Sequence, residues 1–339
     1  MCWACGWCGA CCERHPAGYL DRGKRVIQRL CWIPLLIAAV GGSACGWEPI
    51  PRQRDGLFRF AVFGDGPYSG REIGRFRRVV DALNARDLAF VIHVGDILWY
   101  PCSDAAFRDR RASMNLIRHP VIYTPGDNEW TDCHERIAGG YDPLERLASL
   151  RRTFFVFPES SLGGDTIALE SQTRDSVYSE FSENARWVHA GVVFATLHVV
   201  GSGNGTAPFP GRQPAHDAEV ARRTSAAVLW LRDAFTAART TDARAVVLAL
   251  HAEMFPESPN SPFAPILAAV QEEALAFGKP VLVVHGDNHE YTFDRPLPNV
   301  QRLQTFGAPD IGWVDVVVDT TLETLFRVEP NVTPRWMWW

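Results

Sequence analysis

No block of lysine and arginine interleaved with aromatic residues occurs in the 339-residue chain, and the formal net charge is only -5. The electrostatic footprint of a nucleic-acid binder is therefore missing, and small partners are expected. There is no internal repeat and no low-complexity tract, which excludes solenoid and fibrous classes. The apolar run at residues 31–40 is too short to cross a bilayer as a mature anchor. The spaced cysteines Cys2, Cys5 and Cys8 are followed by no histidine or second cysteine pair at zinc-finger distances, so they do not read as a zinc module. What is present is a composition of 47% hydrophobic and 22% charged residues, enough to bury one large core.

The N-terminus reads as a targeting segment before it reads as structure. Arg22, Lys24, Arg25 and Arg29 precede the apolar run, and the small residues 41–45 follow it, which is the layout of a signal peptide. Residues 42–45, Gly-Ser-Ala-Cys, resemble a bacterial lipobox. Secretion into the medium or periplasm and a membrane tether through lipidated Cys45 both remain open. Residues before about 22 read as lying upstream of the true start. The expected organisation is a targeting segment over 1–45, a linker over 46–56, one domain over 57–330 and a tail over 331–339. Six cysteines lie before Cys45, leaving Cys102 and Cys133 within the domain. An oxidising compartment favours a disulfide between them.

Within the domain, runs at 58–63, 88–94, 121–124, 245–250 and 281–284 are almost continuously apolar and rich in β-branched residues, as strands covered on both faces are. Helical patterns at 70–84, 103–118, 143–155, 217–239 and 265–277 alternate with them, which argues for parallel βαβ crossovers. Residues 176–183, 186–189 and 192–199 read as hairpin strands, and 314–318 with 324–328 as another pair. The expected architecture is an α/β sandwich of two sheets with helices outside. The Gly- and Pro-rich stretch 201–214 reads as a long functional loop, with His198 or Asn204 presented at its rim.

The five parallel runs end alike. They lead into Gly64-Asp65, Gly95-Asp96, Gly126-Asp127, His251 and Gly286-Asp287-Asn288-His289. Ligands of open α/β sheets bind beyond the carboxyl ends of the strands, so these ends are expected to converge on one crevice. Four aspartates gathered there would repel one another into taking up protons unless cations were present. Two divalent ions would neutralise them, with His251 and His289 adding imidazole nitrogens. His93 and His285, set in apolar strands, read as buried supporting residues.

This series of motifs resembles the calcineurin-like metallophosphoesterases, whose pattern runs Asp-x-His, Gly-Asp-x-x-Asp, Gly-Asn-His-Asp/Glu, a lone His and Gly-His-x-His. The resemblance covers about residues 58–319, and the segment from Tyr123 to His134 looks like the hallmark of an exported bacterial subgroup. It implies an αββα sandwich and hydrolysis of a small phosphoester. One metal would be held by Asp65, Asp96 and His289, the other by Asp96, Asp127, His251 and Asp287. Departures are informative. Pro67 replaces a ligand His, Asp127 and Asp287 replace an amide and an imidazole, and Asn128 replaces the His that assists the leaving group. Trp99 holds the fourth position of the second motif, so Tyr100 falls one residue late for a ligand. Carboxylate in place of imidazole favours manganese, magnesium or ferrous iron over zinc. Asn128 and His134 are the candidate groups facing the leaving oxygen, His134 as proton donor. The alternative is a non-catalytic metal- or ligand-binding protein that keeps the fold.

Overall fold

The computed structural model describes residues 56–255 and 261–333; the expected targeting segment, Cys45 and the last six residues lie outside the described residues. The first sheet begins with β1 (Leu57–Phe63), β2 (Phe90–His93), β3 (Pro120–Tyr123) and the two-residue β4 (Leu162–Gly163). The second contains β5 (Glu170–Ser171), β6 (Ala185–His189), β7 (Val192–Thr196), β8 (Ala245–Ala249), β9 (Val281–His285), β10 (Thr292–Leu297) and β11 (Val300–Gln304). The chain then returns to the first sheet with β12 (Gly312–Asp319) and β13 (Phe326–Val332), which carries the domain past the expected boundary at 330. The spatial orders are β13-β12-β1-β2-β3-β4 and β10-β11-β9-β8-β7-β6-β5.

Parallel pairing is confined to the centre of each sheet. β1, β2 and β3 run parallel in the first, and β7, β8, β9 and β11 in the second. These central strands are buried on both faces, which is why they read as unbroken apolar runs. The inner faces of the two sheets meet through aromatic rings. Phe60 lies 5.3 Å from Phe90 and 5.5 Å from Phe194 across the interface, and Phe90 meets Trp187 edge-on at 5.4 Å. Such pairs are worth about 0.5–1.5 kcal/mol each beyond the area they bury, and they fix the sheets face to face.

Helices cover the outside. They are α1 (Gly70–Asn84), α2 (Asp104–Met114), α3 (Pro143–Phe154), α5 (Pro214–Thr240) and α6 (Ala264–Phe277), whereas the short α4 (Gly201–Gly205), left-handed at Ser202, Gly203 and Asn204, lies inward against Asp127. Their starts are legible in sequence. The Ser103 hydroxyl accepts from Ala106 N–H at α2, and Asp142 accepts from Leu144 and Glu145 N–H at α3 with Pro143 in the first turn. α6 ends on Gly278 at φ 67°, a left-handed cap that glycine adopts without strain.

Residues 176–183 are turns rather than a strand, because Glu183 is drawn inward to pair with Arg151 and His198, and only β6 and β7 form the hairpin. The β10–β11 hairpin went unrecognised, since Asp294, Arg295, Gln301, Arg302 and Gln304 interrupt any apolar run. The strand placed at 192–199 stops at Thr196, and α5 begins three residues earlier than its pattern, at Pro214.

Candidate metal centre

The carboxyl ends of the parallel strands of both sheets meet at one edge of the sandwich. Asp65 follows β1, Asp96 follows β2, Asp127 follows β3, His251 follows β8, and Asp287 and His289 follow β9. Asp65, Asp96, Asp287 and His289 all have positive φ, between 53° and 81°. Left-handed backbone at non-glycine residues costs on the order of 1 kcal/mol or more and persists where surrounding structure enforces it. Here it turns each side chain back over the end of its strand.

Two clusters of donor atoms result, one of Asp65, Asp96 and His289 and one of Asp96, Asp127 and His251, each with its atoms within 4.8 Å of one another. Asp96 belongs to both. His251 Nε2 stands 3.1 Å from Asp127 Oδ1 and 3.4 Å from Asp96 Oδ1, and His289 Nε2 stands 3.8 Å from Asp65 Oδ1. Asp287 is beside the second cluster rather than inside it. Its Oδ1 is 4.0 Å from His251 Nε2, and its Oδ2 accepts the Glu253 N–H at 2.8 Å.

The surroundings fit cations. His251 Nδ1 faces the Val94 carbonyl at 2.8 Å and His289 Nδ1 faces that of Ala308 at 2.7 Å. A carbonyl only accepts, so Nδ1 carries the proton in each ring and the neutral Nε2 offers a lone pair to the cluster. Asp65 Oδ2 is buried with no hydrogen-bond partner among the described residues, an arrangement that is costly unless something positive meets it. Burial pushes the Asp65 carboxyl up to about 6 despite the neighbouring histidines. Asp96 is pushed well upward by burial and then by Asp127, Glu129 and Asp65, with His251 opposing. Burial also acts on Asp127, but the hydrogen bond and charge of His251 hold it below the ordinary carboxylate range. Burial alone would deprotonate His251; the surrounding aspartates instead hold its pKa well above that of an ordinary imidazole. A protonated His251, with the Asp65 and Asp96 carboxyls pushed upward, is what such a site falls back on without metal.

Supporting residues hold this geometry. Glu129 Oε1 accepts the N–H groups of Asp96 and Gly126, both at 2.9 Å, and the Tyr123 hydroxyl at 2.7 Å. It thereby ties the two loops that carry Asp96 and Asp127. A side chain at Gly201 would place its Cβ 2.6 Å from Asp127 Oδ2 and 2.7 Å from Asp287 Oδ1, so the chain passes too close to the centre for any other residue. The disulfide between Cys102 and Cys133, Cα atoms 5.8 Å apart, joins the segment after Asp96 to the short helix after Asp127.

The remaining candidates fall into place differently. Asn128 lies at the centre, but its Nδ2 donates to Asp96 Oδ2 at 2.7 Å and its N–H to Asp96 Oδ1 at 3.1 Å. His134 belongs to neither cluster; its Nδ1 donates to the Thr131 carbonyl and its ring stacks on Phe209 at 4.5 Å. His93 and His285 are buried, and burial pushes each down to about 3, so both are neutral supports. His198 and Asn204 are not at a rim. His198 is buried against Glu183 at 2.6 Å, and buried Arg223 holds the Asn204 side-chain and backbone oxygens. Ser202 takes the place expected of them. Its hydroxyl lies between Asp127 Oδ2 at 2.8 Å and Asp132 Oδ1 at 2.9 Å. Sequence reading also missed Tyr68, whose hydroxyl donates to Asp96 Oδ2 at 2.8 Å. Burial and then the Asp96 and Asp65 carboxylates push its pKa well upward. Its position directly after the first motif was the available signal.

A dimetal phosphatase from Danio rerio superposes over 83% of this chain and all of its own, with a TM-score of 0.52 and 12% identity. The chain has the calcineurin-like phosphoesterase fold. A phosphatase from Mycoplasma pneumoniae covers 82% of this chain and 93% of its own at TM-score 0.44 and 10% identity. A 5'-nucleotidase from Candida albicans covers 80% of this chain but 50% of its own, at TM-score 0.42 and 12% identity. No family model and no curated protein matches the sequence.

Proposed function

We propose that this chain hydrolyses a small phosphoester, monoester or diester, using two metal ions held around Asp96. Asp65, Asp96 and His289 would hold one, and Asp96, Asp127 and His251 the other, with Asp287 flanking the second. The observation that carries this reading is the sharing of Asp96 between two carboxylate and imidazole clusters, with the free Nε2 of each histidine turned inward. Divalent ions bound there supply Lewis acidity, lowering the pKa of water towards neutrality and offsetting charge on phosphoryl oxygens. The residues of the chain position and orient. Glu129 fixes the Asp96 and Asp127 loops, Ser202 orients the Asp127 carboxylate, and Asn128 orients that of Asp96. With its amide committed to Asp96 and unable to release a proton, Asn128 leaves the departing oxygen without the general acid the resemblance implies.

The donor set, richer in carboxylate than in imidazole, suits manganese, magnesium or iron better than zinc. Export, with or without a lipid on Cys45, is part of the same proposal and rests on the N-terminal sequence alone. Metal analysis of protein purified without chelator, combined with a screen of phosphomonoesters and phosphodiesters, tests it. About two equivalents of metal together with turnover is the expected result. Metal without turnover supports the binding-protein alternative, and protein that retains no metal overturns both.

A further inference from the structure

We infer that the face built by α2 and the residues flanking it docks on a lipid bilayer that carries anionic headgroups. The inference stands on that face alone and holds whether or not the metal centre hydrolyses a phosphoester. Asp104, Arg108, Arg111 and Asn115 follow one another at helical spacing along one side of α2, and with Arg152 and Thr153 of α3 they line a groove open to solvent. Asp104 does not neutralise it, since its Oδ1 accepts from Arg146 at 2.9 Å and from the Ser149 hydroxyl at 2.6 Å. Among the described residues the guanidinium groups of Arg108, Arg111 and Arg152 make neither a hydrogen bond nor an ion pair, and Arg111 Nε is buried without a partner. The helix pair on the other sheet is built differently. There Arg232 of α5 meets Glu272 of α6 at 2.9 Å, and Arg239 meets Glu273 at 2.7 Å. Three cations left unpaired in one groove call for an anion, and guanidinium groups take phosphate oxygens in paired hydrogen bonds.

What lies at the two ends of α2 selects a lipid surface over a free anion. Trp99 and Tyr100, just before the helix, are 50% and 45% exposed, with their rings edge-on at 5.9 Å; Leu116, just after it, is 63% exposed. Tryptophan and tyrosine, with an apolar ring and a polar tip, gather where a bilayer meets water, whereas a dissolved anion has no use for them. The 11 residues of α2 span about 16 Å at 1.5 Å per residue. A bilayer that meets this helix side-on therefore touches the two aromatic rings at one end, the arginines along its length and Leu116 at the other. Asp109, exposed on α2, has its charge set against the neighbouring Arg110. The Trp99 ring also lies edge-on to Tyr68 at 5.9 Å, and Tyr68 reaches Asp96, so the aromatic end of the docked face stands beside the metal centre.

Co-sedimentation of the full chain with vesicles tests this, comparing phosphatidylcholine alone with phosphatidylcholine mixed with phosphatidylglycerol. Any apolar or lipidated N-terminal segment binds both kinds of vesicle, so the quantity read is the ratio of the two affinities. An arginine near an anionic surface contributes about fivefold, so the three together should give a ratio on the order of 100-fold at low salt, collapsing at high salt. Changing Arg108, Arg111 and Arg152 together to Gln should bring the ratio near one. Changing the same three to Lys should keep most of it and controls for folding, as should Arg232→Gln combined with Arg239→Gln. Leu116→Ser should weaken binding to the mixed vesicles. A wild-type ratio near one, or a ratio that survives the triple Gln change, overturns the inference. Release by inorganic phosphate but not by chloride of matched ionic strength assigns the groove to a free anion and overturns the lipid reading. Metal content and phosphoester turnover, measured on the same preparations, report separately on the metal centre.

Discussion

Breaking the Cys102–Cys133 bridge should destabilise the domain by roughly 3 to 4 kcal/mol, and in a manner that two separate thiols could not imitate. The bridge closes a loop with a sequence separation of 31 residues. The chain-entropy relation, about -2.1 minus 1.5R ln n in cal/mol/K, gives roughly -12 cal/mol/K for a loop of that length, or about 3.7 kcal/mol at 25 °C. A domain of roughly 280 residues unfolds with an entropy near 0.6 kcal/mol/K, so the melting temperature should fall by about 6 °C. Both cysteines are fully buried, and truncation to alanine adds a smaller cavity term at each. The decisive assay is a cycle of urea and thermal melts on Cys102→Ala, Cys133→Ala and the double variant. Because either single change removes the whole cross-link, each should cost nearly the full amount, and the double variant little more. Strict additivity of two small single effects would refute the reasoning, as would both thiols alkylating in the native protein. Loss of the bridge should also weaken metal retention, since it braces the loops that carry Asp96 and Asp127.

Asp96→Ala should release metal from both clusters, read by mass spectrometry of the purified variant, whereas His251→Ala should release only one; one full equivalent left in Asp96→Ala would sink the shared-ligand assignment. Gly201→Ala drives a methyl group to within 2.7 Å of the Asp127 and Asp287 carboxylates, so it should lower metal affinity at least tenfold with little change in helix content by circular dichroism. Below pH 6.5 the unfolded chain protonates His93 while the folded chain, with His93 pushed down to about 3, does not; stability should fall by about 1.4 kcal/mol per pH unit from this residue alone. His93→Gln should therefore lose roughly 1.6 kcal/mol less than wild type between pH 6.5 and 5 in urea melts, and equal losses would rule the account out. Because Asn128 cannot donate a proton, kcat/KM across aryl phosphates should fall steeply as leaving-group pKa rises, and Asn128→His should flatten the slope, with general-acid help worth ~10²–10⁴-fold. A flat wild-type slope with chemistry rate-limiting would place an acid elsewhere.

The parallel strands and the helix starts were readable because each obeys a local rule. Doubly buried strands demand unbroken β-branched runs, and Ser103 and Asp142 cap the backbone within three residues of themselves. Repetition of an acidic or imidazole residue at each strand end made the gathering of these donors legible too, since a parallel sheet delivers those ends to one side. The disulfide was expected from the N-terminal export pattern and from the two cysteines left within the domain, beside the second and third motifs. What the sequence could not decide is everything that depends on approach from a distant part of the chain. Glu183 abandons its expected strand for Arg151 and His198, His198 and Asn204 turn inward while Ser202 turns towards Asp127, and Asp287 stands just outside the cluster it was expected to join. Tyr68 is the clearest case. Its place directly after the first motif hints at the centre, but only the pairing of β1 with β2 and the packing of the second sheet bring Asp96 and His289 to its hydroxyl from 28 and 221 residues away. Periodicity and capping are energies of near neighbours along the chain, whereas a lone pair is satisfied by whichever atom the tertiary fold sets 3 Å from it.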